Sequence, residues 1–331
     1  MKKWMKFVLV IAVISVIFVA GCKDDTTDPD VNGFEVLTTY MDANDMTITD
    51  LLAGWIIAPD SLVQVLDDYY IMDIRTGDYH GATVLDDPDD IVDYDNGHIE
   101  GAVLSSLGNI VIDAAQADNP IVVVCYTGQS AGHAVMALRL SGYSNAMVLK
   151  WGMSGWHSDF DKWSGNTATL NHANWVVPPG AIADAEVFDY PEIDTDLEDG
   201  AGILAERVIA LLDGGFKGIA ALDGDTTIGA LDNPGDFFIN NYWGADDVTA
   251  YGNIDGAYRI NPLVLENLDS DATVVTYCWT GQTSSMITAY LTVLGYNAKS
   301  LKFGVNSIIY DDLLGHKWSA SMDYPYIVTT P

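Results

Sequence analysis

Short apolar runs recur along this chain, separated by stretches with apolar residues at helical spacing. A run of about four β-branched or aromatic residues between polar turns reads as a strand covered on both faces. Such runs fall at 70–75, 121–124, 146–149, 237–241 and 274–277. Helical periodicity covers 131–140, 202–212 and 284–294, with a shorter piece at 110–115 and another through Leu66 capped by Asp60-Ser61. Strands alternating with helices predict an α/β chain in which mostly parallel central sheets carry helices on both faces.

The run Ile121-Val-Val-Val ends in Cys125, and the loop Cys125-Tyr126-Thr127-Gly128-Gln129-Ser130 leads into a helix closed by Gly142-Tyr143. The pattern then returns. Val274-Val-Thr-Tyr is followed by Cys278-Trp279-Thr280-Gly281-Gln282-Thr283, a helix and Gly295-Tyr296. An internal repeat of this kind organises the whole chain. In each copy the thiol stands at the C-terminal end of a strand, where open α/β sheets bind ligands. It faces the free N–H groups of a loop and the positive end of a helix dipole, which favour a thiolate. The same N–H groups are placed to cradle a second sulfur or an oxyanion.

Both ends of the repeat can be bounded. Lys2, Lys3 and Lys6, an apolar stretch to Ala20 and then Val19-Ala20-Gly21-Cys22 predict a bacterial lipoprotein leader at 1–21, with Cys22 lipidated. This puts the remainder outside the cytoplasm, held to a bacterial membrane by the lipid alone, on the periplasmic side or the cell surface. An acidic tether is expected at 22–46, a first domain at 47–165, a linker at 166–200 and a second domain at 201–331. The formal charge is −33, and loss of three leader lysines takes it to −36, so nucleic acid is excluded as a partner of this surface. With Cys22 taken by lipid, Cys125 and Cys278 remain, and their matching places in two copies argue against a disulfide between them. No metal site and no cofactor are expected: Asp93-Tyr-Asp95-Asn-Gly97 lacks the spacing of a calcium loop.

With these residues in view, the chain resembles a tandem rhodanese, a two-domain sulfurtransferase. The marks are the Asp73-x-Arg75 strand end, His98-Ile-x-Gly-Ala102, the Cys-x-x-Gly loop, the Gly-Tyr after the helix, and Gly152-x-x-Gly155-Trp156. In the second copy Asn253-Ile-Asp-Gly-Ala257 replaces the histidine motif and Leu301-Lys-Phe-Gly304 matches Leu149-Lys-Trp-Gly152, while the Asp/Arg pair and the tryptophan turn are missing. The resemblance implies that Cys125 and Cys278 take a sulfane sulfur from a donor as a persulfide and pass it to a thiol or cyanide-like acceptor. Cysteine is the side chain most nucleophilic near neutral pH. Gln129 and Ser130, with Gln282 and Thr283 in the second copy, are expected to present N–H groups and hydroxyls. Asp73 and Arg75 read as a supporting ion pair, and His98 and His133 as solvated or capping histidines.

One departure bears on the donor. Neither loop contains a basic residue, and Tyr126 and Trp279 stand at the second positions. Lys150, Lys302 and Arg259 are the candidate charges from outside. The expected donor is therefore a polysulfide or a partner protein's persulfide rather than thiosulfate. A related phosphatase loop is one residue longer and ends in Arg, whereas Ser130-Ala131 and Thr283-Ser284 stand here, which argues against phosphate-ester chemistry. The competing reading is a non-catalytic sulfur carrier, sensor or docking module of the same fold.

Overall fold

The computed structural model describes residues 32–75, 93–177 and 186–329. The leader, Cys22, most of the acidic loop after Arg75 and residues 178–185 of the expected linker lie outside them. Along the chain come α1 (Gly33–Ala43), α2 (Ile48–Leu51), β1 (Ile56–Ile57), α3 (Pro59–Leu62), β2 (Tyr70–Asp73), β3 (Val103–Leu104), α4 (Ile110–Asp113), β4 (Ile121–Val124), α5 (Gln129–Leu140), β5 (Met147–Leu149) and α6 (Gly152–Trp156). After β6 (Trp175–Val176) the second half has α7 (Gly200–Asp213), β7 (Gly218–Ile219), β8 (Phe238–Asn241), α8 (Ala245–Tyr251), β9 (Asn253–Ile254), β10 (Val274–Tyr277), α9 (Gln282–Val293) and β11 (Ala298–Leu301).

The two halves repeat one topology. The first sheet has the order β1-β5-β4-β2-β3 and the second β7-β11-β10-β8, all parallel. A parallel bridge between Asn240 and Tyr258 extends the second sheet beyond β8, at the place that β3 takes in the first. The cysteine strands β4 and β10 are central and buried along their whole length. Pleating divides β4 cleanly, since alternate residues of a strand face opposite sides. Ile121, Val123 and Cys125 face one core, and Val122 and Val124 another.

The first of these cores is common to both halves. Helices α1, α5, α7 and α9 pack in it together, through Leu37, Leu138, Ile203 and Leu291 among others. Two glycines permit the close approach. A side chain at Gly200 would collide with Tyr40 of α1, and one at Gly132 with Ser285 of α9. The expected tether is thus shorter than 22–46: Phe34, Leu37 and Met41 are buried, and Asn32 caps α1 by accepting a hydrogen bond from the Phe34 N–H. Its buried positions, Phe34, Leu37 and Met41, recur at helical spacing directly after the Asp-rich stretch that reads as a tether.

The ends of the two halves cross over. The segment after the first half pairs with the second: β6 lies antiparallel to β9, and the Ala168 and Leu170 N–H groups donate to the Asn306 and Ile308 carbonyls. The last segment returns to the first half, where Met322 and Tyr324 N–H groups donate to the Gly155 and Trp156 carbonyls and Ile327 bridges His98. Neither 166–200 as a spacer nor 201–331 as one domain describes this exchange. The expected tryptophan turn is the short helix α6, whose Trp156 indole N–H donates to Pro325 O at 2.8 Å. The expected helix, capped at Asp60-Ser61 and running through Leu66, is shorter and begins earlier: Ala58 is its N-cap, Pro59 its first residue and Leu62 its last.

Candidate active site

Each cysteine ends a central strand, and each loop turns through a left-handed glycine (Gly128 at φ +79°, Gly281 at φ +75°) that caps the following helix. Around Cys125 the Gly128 and Ala131 N–H groups donate to Sγ at 3.1 and 3.4 Å. Around Cys278 the Ser284 N–H donates to Sγ at 3.3 Å, and the thiol donates to Ser284 Oγ at 3.5 Å. Both cysteines are free and little exposed, 4% and 2%. Their surroundings are polar amides rather than apolar packing alone. Gln129 and Ser130 are not the donors expected of them: the N–H groups that reach sulfur lie at the cap and at the third helical residue.

Behind each loop the chain approaches so closely that only glycine fits. At Gly152 (φ +60°) an added Cβ would overlap the Cys125 carbonyl, and at Gly304 (φ +52°) the Cys278 carbonyl. Met153 and Val305 N–H groups donate to those same carbonyls at 2.8 and 3.1 Å. The Ser154 hydroxyl and the Asn306 amide donate to Tyr126 O and Trp279 O, each at 2.7 Å. These equivalences match the Leu-Lys-Trp-Gly and Leu-Lys-Phe-Gly segments of the two copies.

The loops also hold each other. The Gln129 Oε1 accepts from the Phe303 N–H at 2.7 Å, and the Gln282 amide donates to Thr127 O at 3.1 Å. Within the loops, the Gln129 amide donates to Thr127 Oγ1 and the Thr280 hydroxyl to Gln282 Oε1. Ser130 and Thr283 are half-buried at the helix starts. His133, expected to be solvated or capping, is fully buried between the halves. The Lys217 N–H donates to its Nε2 at 3.2 Å, so Nδ1 carries the proton and donates to Ser285 Oγ at 2.9 Å. The Ser285 hydroxyl in turn donates to Gln129 O. Burial, aided by the Lys217 charge, pushes the His133 pKa down to about 3, so the ring is neutral. His98 is also buried, stacked on Tyr94 with ring centroids 3.8 Å apart and with its Nδ1 3.0 Å from Tyr94 O.

Charge beside the first loop comes from the expected supporting pair, Asp73 and Arg75, and from Lys162, which no motif marks. Asp73 and Arg75 form a buried ion pair, 2.6 Å from Nη2 to Oδ2. Burial lowers the Arg75 pKa, but hydrogen bonds and charge from Asp73 more than reverse this, leaving it above its ordinary value. The Asp73 carboxyl is pushed up by burial against the pull of Arg75. The guanidinium carbon of Arg75 lies 5.1 Å, and Lys162 Nζ 5.2 Å, from the Tyr126 ring centroid. Burial, and then the Asp93 carboxylate, hold the Tyr126 phenol above its usual range. The expected cations are engaged elsewhere. Arg259 donates to Asn261 O at 2.7 Å, Lys150 lies over the Trp151 ring, and the Lys302 stem lies against Gly218. Trp279 meets rings instead, stacked with Trp243 and with His316.

No group of three or more His, Cys, Asp or Glu residues that could hold a metal occurs among the described residues, and no helix among them is long and apolar enough to cross a membrane. A model of the rhodanese-like domain family matches residues 59–159. Thiosulfate sulfurtransferase GlpE of Shewanella oneidensis is 32% identical over 105 residues, which is 30% of this chain and 90% of that protein. Among solved structures, a rhodanese-related protein from Thermoplasma volcanium is 18% identical over 30% of this chain and 86% of its own, with a TM-score of 0.24. A thiosulfate sulfurtransferase from Pseudomonas aeruginosa is 15% identical over 88% of this chain and 49% of its own, with a TM-score of 0.28.

Proposed function

Given that the chain belongs to the rhodanese-like family, we propose that it is a tandem sulfurtransferase acting outside the cytoplasm, anchored through lipid on Cys22. A sulfane sulfur passes from a donor to the Cys125 thiolate, and from the resulting persulfide to a thiol or cyanide-like acceptor. The observation that carries this reading is the pair of N–H groups, from Gly128 and Ala131, directed at Cys125 Sγ. They hold negative charge on the attacking sulfur, and a persulfide ends in a sulfur of the same charge, so the cradle serves both states. The fixed backing at Gly152 keeps the loop in this shape without cost of reorganisation. The second half supports the tandem reading by repeating the strand order, the left-handed glycine, the backing glycine and the thiol. Acceptors are met outside the cytoplasm, and nucleic acid has no part in the reaction.

Incubation of the protein with a sulfane-sulfur donor, followed by mass spectrometry of the Cys125 peptide, tests the proposal. A gain of one sulfur that disappears on adding cyanide, and that Cys125→Ser abolishes, is expected. A Cys125 that stays unmodified with thiosulfate, polysulfide and organic persulfides alike would remove it.

A further inference from the structure

The two sites differ behind the sulfur. Register pairs Met72 with Val123 and Val123 with Val148 in the first sheet, and Asn240 with Thr276 and Thr276 with Ser300 in the second. Val123 and Thr276 each stand two residues before a cysteine, on the same face of the strand. Six residues after each cysteine, Ala131 and Ser284 bring their N–H groups to the sulfur. Met72, Val123, Val148 and Ala131 in the first half thus correspond to Asn240, Thr276, Ser300 and Ser284 in the second, and all eight are fully buried. Burying a polar group without a partner costs free energy. The Thr276 hydroxyl and the Asn240 amide nitrogen have no partner among the described residues. The first half packs the same place with apolar side chains, so the fold does not require the polar row. A row kept at that cost points to the thiol at its end.

The row reaches the sulfur through one hydroxyl. The Cys278 thiol donates to Ser284 Oγ at 3.5 Å, Ser284 Oγ lies 2.8 Å from Ser300 Oγ, and the Ser300 hydroxyl donates to Gly281 O at 3.4 Å. With the Ser300 hydrogen on Gly281 O, Ser284 donates to Ser300, and its lone pairs face the thiol at rest. Turned about its Cβ–Oγ bond, the same hydroxyl donates to a charged sulfur, and no heavy atom moves. Ala131 offers Cys125 a backbone N–H and no hydroxyl.

We propose that Ser284 is a catalytic residue of the Cys278 site: its hydroxyl donates to Sγ as the persulfide gives up its outer sulfur. This rests on the sulfur-transfer reading above. In the persulfide the outer sulfur carries the charge, and the Ser284 hydroxyl stays with Ser300. With cyanide as acceptor, the cyanide carbon attacks the outer sulfur. A carbon–sulfur bond forms as the S–S bond breaks, and the bonding pair returns to Sγ. Thiocyanate leaves, Cys278 is a thiolate again, and no proton, oxidant or reductant is consumed. The charge that develops on Sγ meets the Ser284 N–H, already in place at 3.3 Å, and the hydroxyl as a second donor. A charge-assisted hydrogen bond made only as the charge appears lowers the barrier without stabilising the starting state. At Cys125 the Gly128 and Ala131 N–H groups serve instead.

The test loads the full chain with benzyl hydrodisulfide, removes the excess, adds cyanide, and follows the loss of one sulfur from Cys125 and Cys278 by site-resolved mass spectrometry. Ser284→Ala gives the second site the residue that the first already holds. It is expected to slow the discharge of Cys278 about tenfold or more, and to leave that of Cys125 within about twofold. The unloaded protein supplies a second measurement that needs no turnover. In infrared spectra the S–H stretch that Cys278→Ser removes should lie below that of a free thiol, because donation weakens the S–H bond, and Ser284→Ala should raise it. Discharge of Cys278 at the parent rate in Ser284→Ala, a slowing shared equally by Cys125, or an S–H stretch indifferent to the substitution overturns the assignment and leaves sulfur transfer standing. If Cys278 of the parent gains no sulfur while Cys125 does, the assignment falls as well. If neither cysteine gains any, the transfer reading falls with it.

Discussion

Protonation of His133 should unfold this protein from the inside. The ring lies wholly within the contact between halves, accepts one backbone N–H and donates to Ser285, and has Phe216 edge-on at 5.0 Å. A second proton would place a charge there beside Lys217 and break the Lys217 N–H bond. The folded-state pKa, about 3, lies below the ordinary histidine value of 6.5, so the unfolded chain binds this proton more readily than the folded one. Stability is therefore complete above pH 6.5 and is lost as the pH falls from there towards 3. Between pH 7.5 and 5.0 the loss from this group alone is about 2 kcal/mol, and it depends only on the unfolded pKa while the folded one stays well below 5. Urea unfolding, followed by tryptophan fluorescence at pH 7.5, 6.5, 5.5 and 5.0, measures it. His133→Gln removes the titration but keeps a neutral polar group, so the variant, less stable at pH 7.5, should lose about 2 kcal/mol less than the parent on acidification. Other histidines and the carboxylates cancel in that difference. Equal losses in parent and variant would refute the assignment of a neutral, buried imidazole.

Two further outcomes follow from the packing. Gly304→Ala should cut sulfur loading at Cys278 by at least about tenfold while Cys125 still loads, because the new Cβ displaces the Cys278 carbonyl and with it the loop, a misplacement that costs orders of magnitude in rate; loading at both sites measured by mass spectrometry checks it. Leu37→Ala in α1 should cost about 2–5 kcal/mol and lower the midpoint of one common unfolding transition, since α1 packs in a core shared by both halves; two calorimetric transitions, only one of them shifted, would contradict this.

Periodicity carried most of the central architecture into view. The buried strand ending at Cys125, the strand ending at Cys278 and their glycine-closed helices are local patterns of the kind that short windows reveal. Gly142 and Gly295 take the expected left-handed conformation, at φ +97° and +96°. What escaped was decided between elements far apart in sequence. His133 looks like any helical histidine until Lys217 and Ser285 are brought to it. Lys162 carries no motif, and only the fold sets it over Tyr126. Trp243 was within reach, since counting two residues on from Asn241, as Arg75 stands two on from Asp73, arrives at it. The low exposure of both thiols was hidden too, because it depends on packing of the whole chain around the loops.

The crossing of the two tails fixes an order of events in biogenesis. The sheet that is made first waits for its last hydrogen-bonding neighbour, since Trp156 finds Pro325 only 169 residues later. Until that moment its outer rim, around His98 and Gly155, offers unsatisfied carbonyls and amides to any neighbour. Closing so wide a span is entropically slow. A polypeptide built this way is completed in one late step, and its two parts mature together rather than in the sequence in which they emerge.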